Sequence, residues 1–122
     1  MNGNRVVVTG LGAVTPVGTG VEEFFRGLTA GQNGIGKVSG FDVTDYRSKL
    51  AGEVKDFHPE DWTDAKSAKR MDRFTQFGLA ASEMAFLDAG LDAFPFDKAK
   101  AGVIIGSGIA AHSPSRRDSL PL

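Results

Sequence analysis

The sequence predicts an α/β fold with helices layered against buried strands, because two β-branched apolar runs flank a middle section with helical patterns. The first run occupies residues 5–9 and ends at Gly10, and the second occupies residues 101–106. Short continuous apolar runs are typical of strands that a sheet buries on both faces. The order of strand, helices and strand therefore favours a layered α/β architecture.

The first helix is predicted from a capping pattern. Thr19 and Glu22 fit the Ser/Thr-x-x-Glu capping box, in which two side chains satisfy free backbone amides at a helix start. We expect this helix to reach about Ala30, with Gly31 as its C-terminal cap. Its apolar positions, which we expect to be buried, are Val21, Phe24, Phe25 and Leu28.

The middle of the chain predicts a loop, a short strand and two further helices. Residues 32–46 contain scattered glycines and indicate a loop, whereas residues 50–54 favour a short strand. Asp64 is expected to cap a short helix, and Asp72 a long one that Gly90 ends. Apolar residues recur along the long helix at near-helical spacing: Phe74, Phe77, Ala81, Met84, Ala85 and Leu87.

The composition argues against several classes of function. The 122-residue chain has a net charge of -1, so its charge gives no reason to expect nucleic acid as a partner. Because the chain contains no cysteine, it offers no disulfide, thiolate zinc site or cysteine nucleophile. His58 and His112 lack partners at metal-ligand spacing, so we expect neither a metal nor a cofactor. No apolar run approaches the ~18–20 residues of a membrane helix or the ~7–15 of a signal-peptide core, which predicts a cytoplasmic protein without membrane contact.

Gly10 and Gly12 follow the first run, and this pattern has two interpretations. A dinucleotide-binding turn would need Gly or Ala three residues after Gly12, where this chain has Thr15 followed by Pro16. A glycine turn that lets a strand and a helix pack closely is the interpretation that we favour. The segment 106–111 also fits the G-x-G-x-x-A pattern, but the polar tail after it argues against a following helix.

Four basic residues make the sharpest charge pattern. Lys66, Lys69, Arg70 and Arg73 are spaced so that they lie within about 100° of arc if one helix continues across Asp72. Such a face is either an ordinary solvated surface or a dock for an acidic partner or phosphate, since convergent cations raise association rates and orient encounter. A helix break at Asp72 would move Arg73 off this face.

Several stretches together resemble the start of the β-ketoacyl-acyl carrier protein synthases, most closely the type II elongating enzymes. The matching stretches, in order, are RVVVTGLGAVTPVG at 5–18, GQNGI at 31–35 with Phe41 and Asp42, KRMDRFTQF at 69–77, Ala80 and Ala81 with DAGL at 88–91, and GVIIGSGI at 102–109. The resemblance covers residues 3–109 without large gaps. It implies the thiolase-like fold, of which this chain would form an incomplete part, the N-terminal portion of the first α/β half.

The resemblance also implies a function in fatty acid biosynthesis. Family members are homodimeric acyltransferases that perform a decarboxylative Claisen condensation with a Cys nucleophile and two His residues. Lys66, Lys69 and Arg70 match basic positions that contact the acidic acyl carrier protein, and Ile109 matches the residue whose side chain gates the acyl pocket. The catalytic Cys and His residues of the family lie beyond the matching region, so we expect no catalytic residue here and an inactive isolated chain.

The resemblance ends after Ile109. Residues 110–122 contain serine, proline and arginine without periodicity, which predicts a disordered tail outside a partial domain at 1–109. Such a change of character is what a reading-frame shift or another truncation would produce. Three functions follow as hypotheses: the N-terminal fragment of a condensing enzyme, a non-catalytic module that binds acyl carrier protein, and a small nucleotide-binding domain.

Overall fold

A computed structural model of the chain describes residues 3–107. It contains both helices and short strands, in agreement with the predicted α/β class. The elements, in order, are β1 (Val14–Thr15), β2 (Gly18–Thr19), α1 (Val21–Thr29), β3 (Ile35–Lys37), β4 (Leu50–Gly52), a 3-10 turn (Pro59–Asp61), α2 (Ala65–Ala68), α3 (Arg73–Asp88) and a second 3-10 turn (Lys98–Lys100).

The strands form two small antiparallel pairs. Val14 pairs with Thr19 in the β1–β2 hairpin, whose turn is closed by the Thr15 hydroxyl donating to the Gly18 carbonyl oxygen at 2.9 Å. In the second pair, Ile35 of β3 lies opposite Gly52 of β4. The short strand predicted within 50–54 is therefore confirmed. The prediction of a continuous loop over 32–46 is wrong at β3, because β4 supplies a hydrogen-bonded partner that local glycine content does not reveal.

The first helix is confirmed, but its predicted capping box is wrong. Gly20 is the N-cap residue, with φ of 99° and no side-chain cap hydrogen bond, because Thr19 is engaged in β2. A positive φ of this size favours glycine. Gly31 follows the helix with φ of 67°, as its predicted role requires. Phe25 and Leu28, which were expected to be buried, are 66% and 52% exposed.

The second and third helices form as separate elements. Asp64 caps α2 as predicted, since its Oδ1 accepts hydrogen bonds from the amides of Lys66 and Ser67, each at 3.0 Å. Asp72 is the N-cap residue of α3, although its side chain makes no cap hydrogen bond. Gly90 follows the end of α3 with φ of 67°, which agrees with its predicted place.

The two predicted buried strands are wrong in this structure. Residues 5–9 and 101–106 pair with no strand of the described chain, and their apolar side chains are exposed, reaching 90% at Val6 and 99% at Ile104. A strand needs a neighbour for its backbone groups and a covering layer for its side chains. The described residues place neither against these two runs.

The core is small and lies where α3 meets the segment before the first 3-10 turn. Phe57, Ala68 and Ala80 are buried, and the Phe57 ring packs edge-on against Phe77 with the ring centroids 4.9 Å apart. Edge-to-face contact of this kind is a favourable aromatic geometry. This cluster joins α2, α3 and the preceding loop, and it therefore positions the basic residues that surround α2.

Gly10 and Gly12 lie directly against α3. A side chain on Gly10 would collide with the Ala85 carbonyl oxygen, and one on Gly12 with the Ala81 carbonyl oxygen. The glycines thus allow close packing, as in the interpretation favoured above, but the helix that they contact is α3.

Candidate functional site

The α2–α3 elbow, which we define as residues 64–77, carries the basic residues singled out in the sequence. Its first turn is fixed by Asp64, whose carboxylate accepts the free amides at the start of α2. Hydrogen bonds from Ser67, first from its side chain and then from its backbone, hold the pKa of the Asp64 carboxyl below its usual value. Asp64 is therefore anionic at neutral pH and engaged with the backbone of α2.

All four predicted cations are exposed, and three of them belong to α2 or to the turn directly after it. Lys66 lies in α2, Lys69 is its C-cap residue, and Arg70 follows in the turn. The ion pairs within residues 3–107 join Arg26 to Glu23 and Lys100 to Asp97. Lys66, Lys69 and Arg70 consequently have no carboxylate partner in the described part of the chain.

Arg73 was expected on the same face only if one helix continued across Asp72, and that condition is not met, because α2 and α3 are separate helices. The helix breaks at Asp72, and the Arg73 guanidinium donates from Nη2 to the Val54 carbonyl oxygen at 2.8 Å. The guanidinium carbon also lies 5.6 Å from the Phe57 ring centroid and 5.0 Å from that of Phe77, within the range of a cation–π contact. Arg73 therefore fastens α3 to the preceding loop.

Gln76 closes the inner side of the elbow, and sequence reasoning did not single it out. Its Nε2 donates to the carbonyl oxygens of Ala68 at 2.9 Å and Met71 at 3.3 Å, in a part-buried setting. Carbonyl groups at a helix C-terminus lack partners within the helix, and Gln76 supplies one. No local pattern signals this role, because the acceptors lie on the far side of a turn.

A second concave region lies between the β1–β2 hairpin and the β3–β4 pair. It has a volume of about 370 Å³, and its charged lining residues are Glu23, Lys37, Glu53, Lys55 and Asp56. The Glu53 carboxylate is engaged by Ser39, which donates from its amide at 2.9 Å and from its hydroxyl at 2.7 Å. The mixed charges and this engaged carboxylate give the region no evident acid–base pair for catalysis.

The remaining predicted residues do not gather into a site. Ile109, His112 and the predicted tail lie outside the described residues, and His58 is exposed in the loop before the first 3-10 turn. Within residues 3–107, no group of three or more His, Asp or Glu side chains is placed to hold a metal ion. Among the helices of these residues, none combines the length and apolar character needed to cross a membrane.

Comparisons with known proteins agree on one family. Residues 3–120 match the family model described as "Beta-ketoacyl synthase, N-terminal domain". The chain is 48% identical over 105 residues to 3-oxoacyl-[acyl-carrier-protein] synthase 2 of Synechocystis sp., covering 86% of this chain and 25% of that protein. It is 45% identical over 109 residues to the Vibrio cholerae protein of the same name, and this match covers 89% of this chain and 26% of that protein.

A solved structure extends the similarity to the fold. The structure titled "The ishigamide ketosynthase/chain length factor" matches with a TM-score of 0.62 and 40% identity, over 69% of this chain and 21% of that one. The chain thus spans about a quarter of the length of the curated relatives named above.

Proposed function

Because this chain belongs to the β-ketoacyl synthase N-terminal domain family, we propose that it is the N-terminal segment of a type II elongating synthase of fatty acid biosynthesis. The identities of 48% and 45% to two proteins named 3-oxoacyl-[acyl-carrier-protein] synthase 2 support this class. The segment would form an incomplete portion of a thiolase-like fold. The homodimer and the cytoplasmic location expected from the resemblance belong to the same proposal.

In the reaction of the whole enzyme, a thiolate accepts an acyl chain and then loses it to a carbanion. The bond between the malonyl α-carbon and its carboxylate breaks and releases CO₂, the new carbon–carbon bond forms at the acyl carbonyl, and the thiolate leaves. This chain contains no cysteine and so cannot supply that thiolate. We expect purified chain, mixed with acyl- and malonyl-carrier protein, to form no β-ketoacyl product.

The contribution proposed for this segment is docking of the acidic acyl carrier protein through Lys66, Lys69 and Arg70. The observation that carries the proposal is that all three are exposed on one short elbow and have no carboxylate partner within residues 3–107. Unpaired surface cations attract an acidic partner and steer its approach, and salt screens that attraction. The elbow would act in the same way in a catalytic enzyme or in a non-catalytic binding module.

The nucleotide-binding alternative is weaker. Its pattern depends on Gly10 and Gly12 leaving room for a pyrophosphate, yet α3 packs against both residues. Asp88 also places a carboxylate oxygen 2.9 Å from the Leu11 amide, where a phosphate oxygen would have to compete with it.

The test is charge reversal with a matched control. The variant Lys69→Glu with Arg70→Glu is compared with Lys49→Glu and Lys98→Glu, which changes net charge equally at exposed residues elsewhere. Binding of fluorescently labelled holo-acyl carrier protein is followed by anisotropy at low and moderate salt. We expect the elbow variant to weaken binding on the order of tenfold and to reduce its salt dependence, while the control stays close to the parent chain. Equal losses in both variants, or no binding by the parent chain, would overturn the docking proposal.

A further inference from the structure

We propose that Gln76 is a positioning residue of the docking surface: its side-chain amide holds the turn that presents Lys69 and Arg70. This inference rests on the proposed function, because it concerns how the same surface is kept in shape. It assigns a role to a residue that carries no charge and need not touch the partner.

The two hydrogen bonds that the Gln76 side chain donates end on either side of Lys69 and Arg70. The carbonyl oxygen of Ala68, the residue directly before Lys69, accepts one of them, and that of Met71, the residue directly after Arg70, accepts the other. One side chain therefore holds the backbone groups directly before and directly after the two cations. We expect a change in that side chain to alter the path of the backbone from Ala68 to Met71.

The elbow has little else to hold this turn. The helix α2 spans only Ala65–Ala68, and helices this short are not stable without tertiary contacts. Local backbone bonds across the turn run from Arg70 N to the Ser67 oxygen at 3.0 Å and from Met71 N to the Ala68 oxygen at 3.2 Å. Asp64 fixes the start of α2, and Gln76 is its counterpart at the end.

The position of Gln76 within α3 makes it a rigid anchor. α3 is a helix of 16 residues, and at its start Arg73 is tied to Val54 and to the Phe57 and Phe77 rings. Ala68, which accepts the shorter Gln76 bond, is buried with 3% exposure. The turn is therefore fastened from its inner side, while Lys69 and Arg70 point their charge to solvent from an ordered backbone.

Order of this kind matters for affinity. A surface whose cations are already placed loses less conformational freedom on binding than one that must order on contact. Removing the Gln76 donor also leaves two carbonyl oxygens without this partner. We expect carrier-protein affinity to fall roughly fivefold although every charge of the docking surface remains, in line with the loss of about one net hydrogen bond.

The test compares Gln76→Met, which keeps side-chain length but removes the donor, with Thr15→Val as a destabilised control. Thr15 makes three hydrogen bonds in the β1–β2 turn, so its replacement lowers stability away from the elbow. Affinity for labelled holo-acyl carrier protein is corrected for the folded fraction of each variant. Hydrogen exchange of the amides at Arg70 and Met71 is measured on the same samples, and Gln76→Asn, whose amide is too short to reach, replaces Gln76→Met if the latter precipitates.

The expected result is weaker binding and faster exchange at Arg70 and Met71 for the Gln76 variant, with Thr15→Val unchanged in both. Unchanged affinity or unchanged exchange in the Gln76 variant, while Lys69→Glu with Arg70→Glu still weakens binding, would overturn the positioning role and leave the docking proposal standing. If charge reversal has no effect, the docking proposal is wrong and this role falls with it.

Discussion

The Leu11 amide donates a hydrogen bond of 2.9 Å to Oδ2 of Asp88, across 77 residues of sequence. This bond attaches the glycine turn near the N-terminus to the last residue of α3. Gly10 and Gly12 allow the approach, since side chains at either position would strike the helix backbone. One polar contact and two glycines thus join distant parts of the chain.

Replacement of Asp88 tests the polar part of this junction. We expect Asp88→Ala to lower the free energy of unfolding by about 1 kcal/mol, because the Leu11 amide loses its acceptor. Asp88→Asn keeps an acceptor oxygen and should retain most of that stability. Urea unfolding of the three proteins measures the difference, and equal losses in both variants would contradict the assignment.

Replacement of Gly12 tests the close steric contact between the glycine turn and α3. Gly12→Ala should destabilise the chain by about 1–3 kcal/mol, as expected for overpacking against a rigid backbone. Gly78→Ala is the matched control, because that glycine lies within α3 and a Cβ there meets no atom within 4 Å. The control should gain about 0.5–1 kcal/mol from the higher helix propensity of alanine. Thermal unfolding distinguishes the opposite signs, and a Gly12→Ala variant as stable as the parent would rule out the close packing.

The lowered pKa of the Glu53 carboxyl predicts that the stability of the chain depends on pH. The Ser39 backbone amide, followed by the Ser39 hydroxyl, holds the pKa of the Glu53 carboxyl below its ordinary 4.5. Because the folded pKa is the lower one, the carboxylate stabilises the fold above pH 4.5, and this contribution is lost as pH falls through the folded pKa.

Glu53→Gln should therefore be less stable than the parent chain at pH 6 and approach it in stability as the pH falls through the lowered pKa of Glu53. Thermal midpoints between pH 6 and pH 3 provide the comparison. A constant difference across that range would show that the interaction does not depend on the charge of the carboxylate.

The two unpaired apolar runs predict self-association of the 122-residue chain. Val6 is 90% exposed and Ile104 is 99% exposed, and unpaired extended backbone is a template for pairing with another chain. Val6→Lys with Ile104→Lys should reduce association, because charges on such segments oppose edge pairing. Light scattering at increasing concentration is the measurement.

The control for self-association uses exposed apolar residues outside those runs. Phe25 and Phe94 are 66% and 71% exposed, so Phe25→Lys with Phe94→Lys makes an equal change of charge at comparable surfaces. If this pair reduces scattering as much as the first, general surface hydrophobicity rather than strand pairing causes the association.

The helices could be predicted from residues that are close in sequence. Strand pairing could not, because it depends on residues that are distant in sequence. Asp64 and Gly31 act through neighbours a few residues away, so their caps could be recognised from spacing. The runs at 5–9 and 101–106 have strand composition, yet a strand exists only beside a partner, and composition does not supply one.

The arrangement of the basic residues around α2 could be predicted only in part for the same reason. The exposure of Lys66, Lys69 and Arg70 agrees with their spacing, but the chain leaves the helix before Asp72, and Arg73, although exposed, lies over the Phe57 and Phe77 rings. No sequence pattern indicated the hydrogen bonds of Gln76, because the turn between two helices determines where its acceptors lie.

The compactness of the elbow in sequence has a consequence for grafting its basic residues onto another protein. Its N-cap, its four exposed cations and the side-chain amide that closes its turn all belong to residues 64–76, which form one uninterrupted stretch. A graft of residues 64–76 alone would lose the contacts of Arg73 with the Val54 carbonyl oxygen and with the Phe57 and Phe77 rings, so the recipient protein would have to supply an acceptor and aromatic rings at that point.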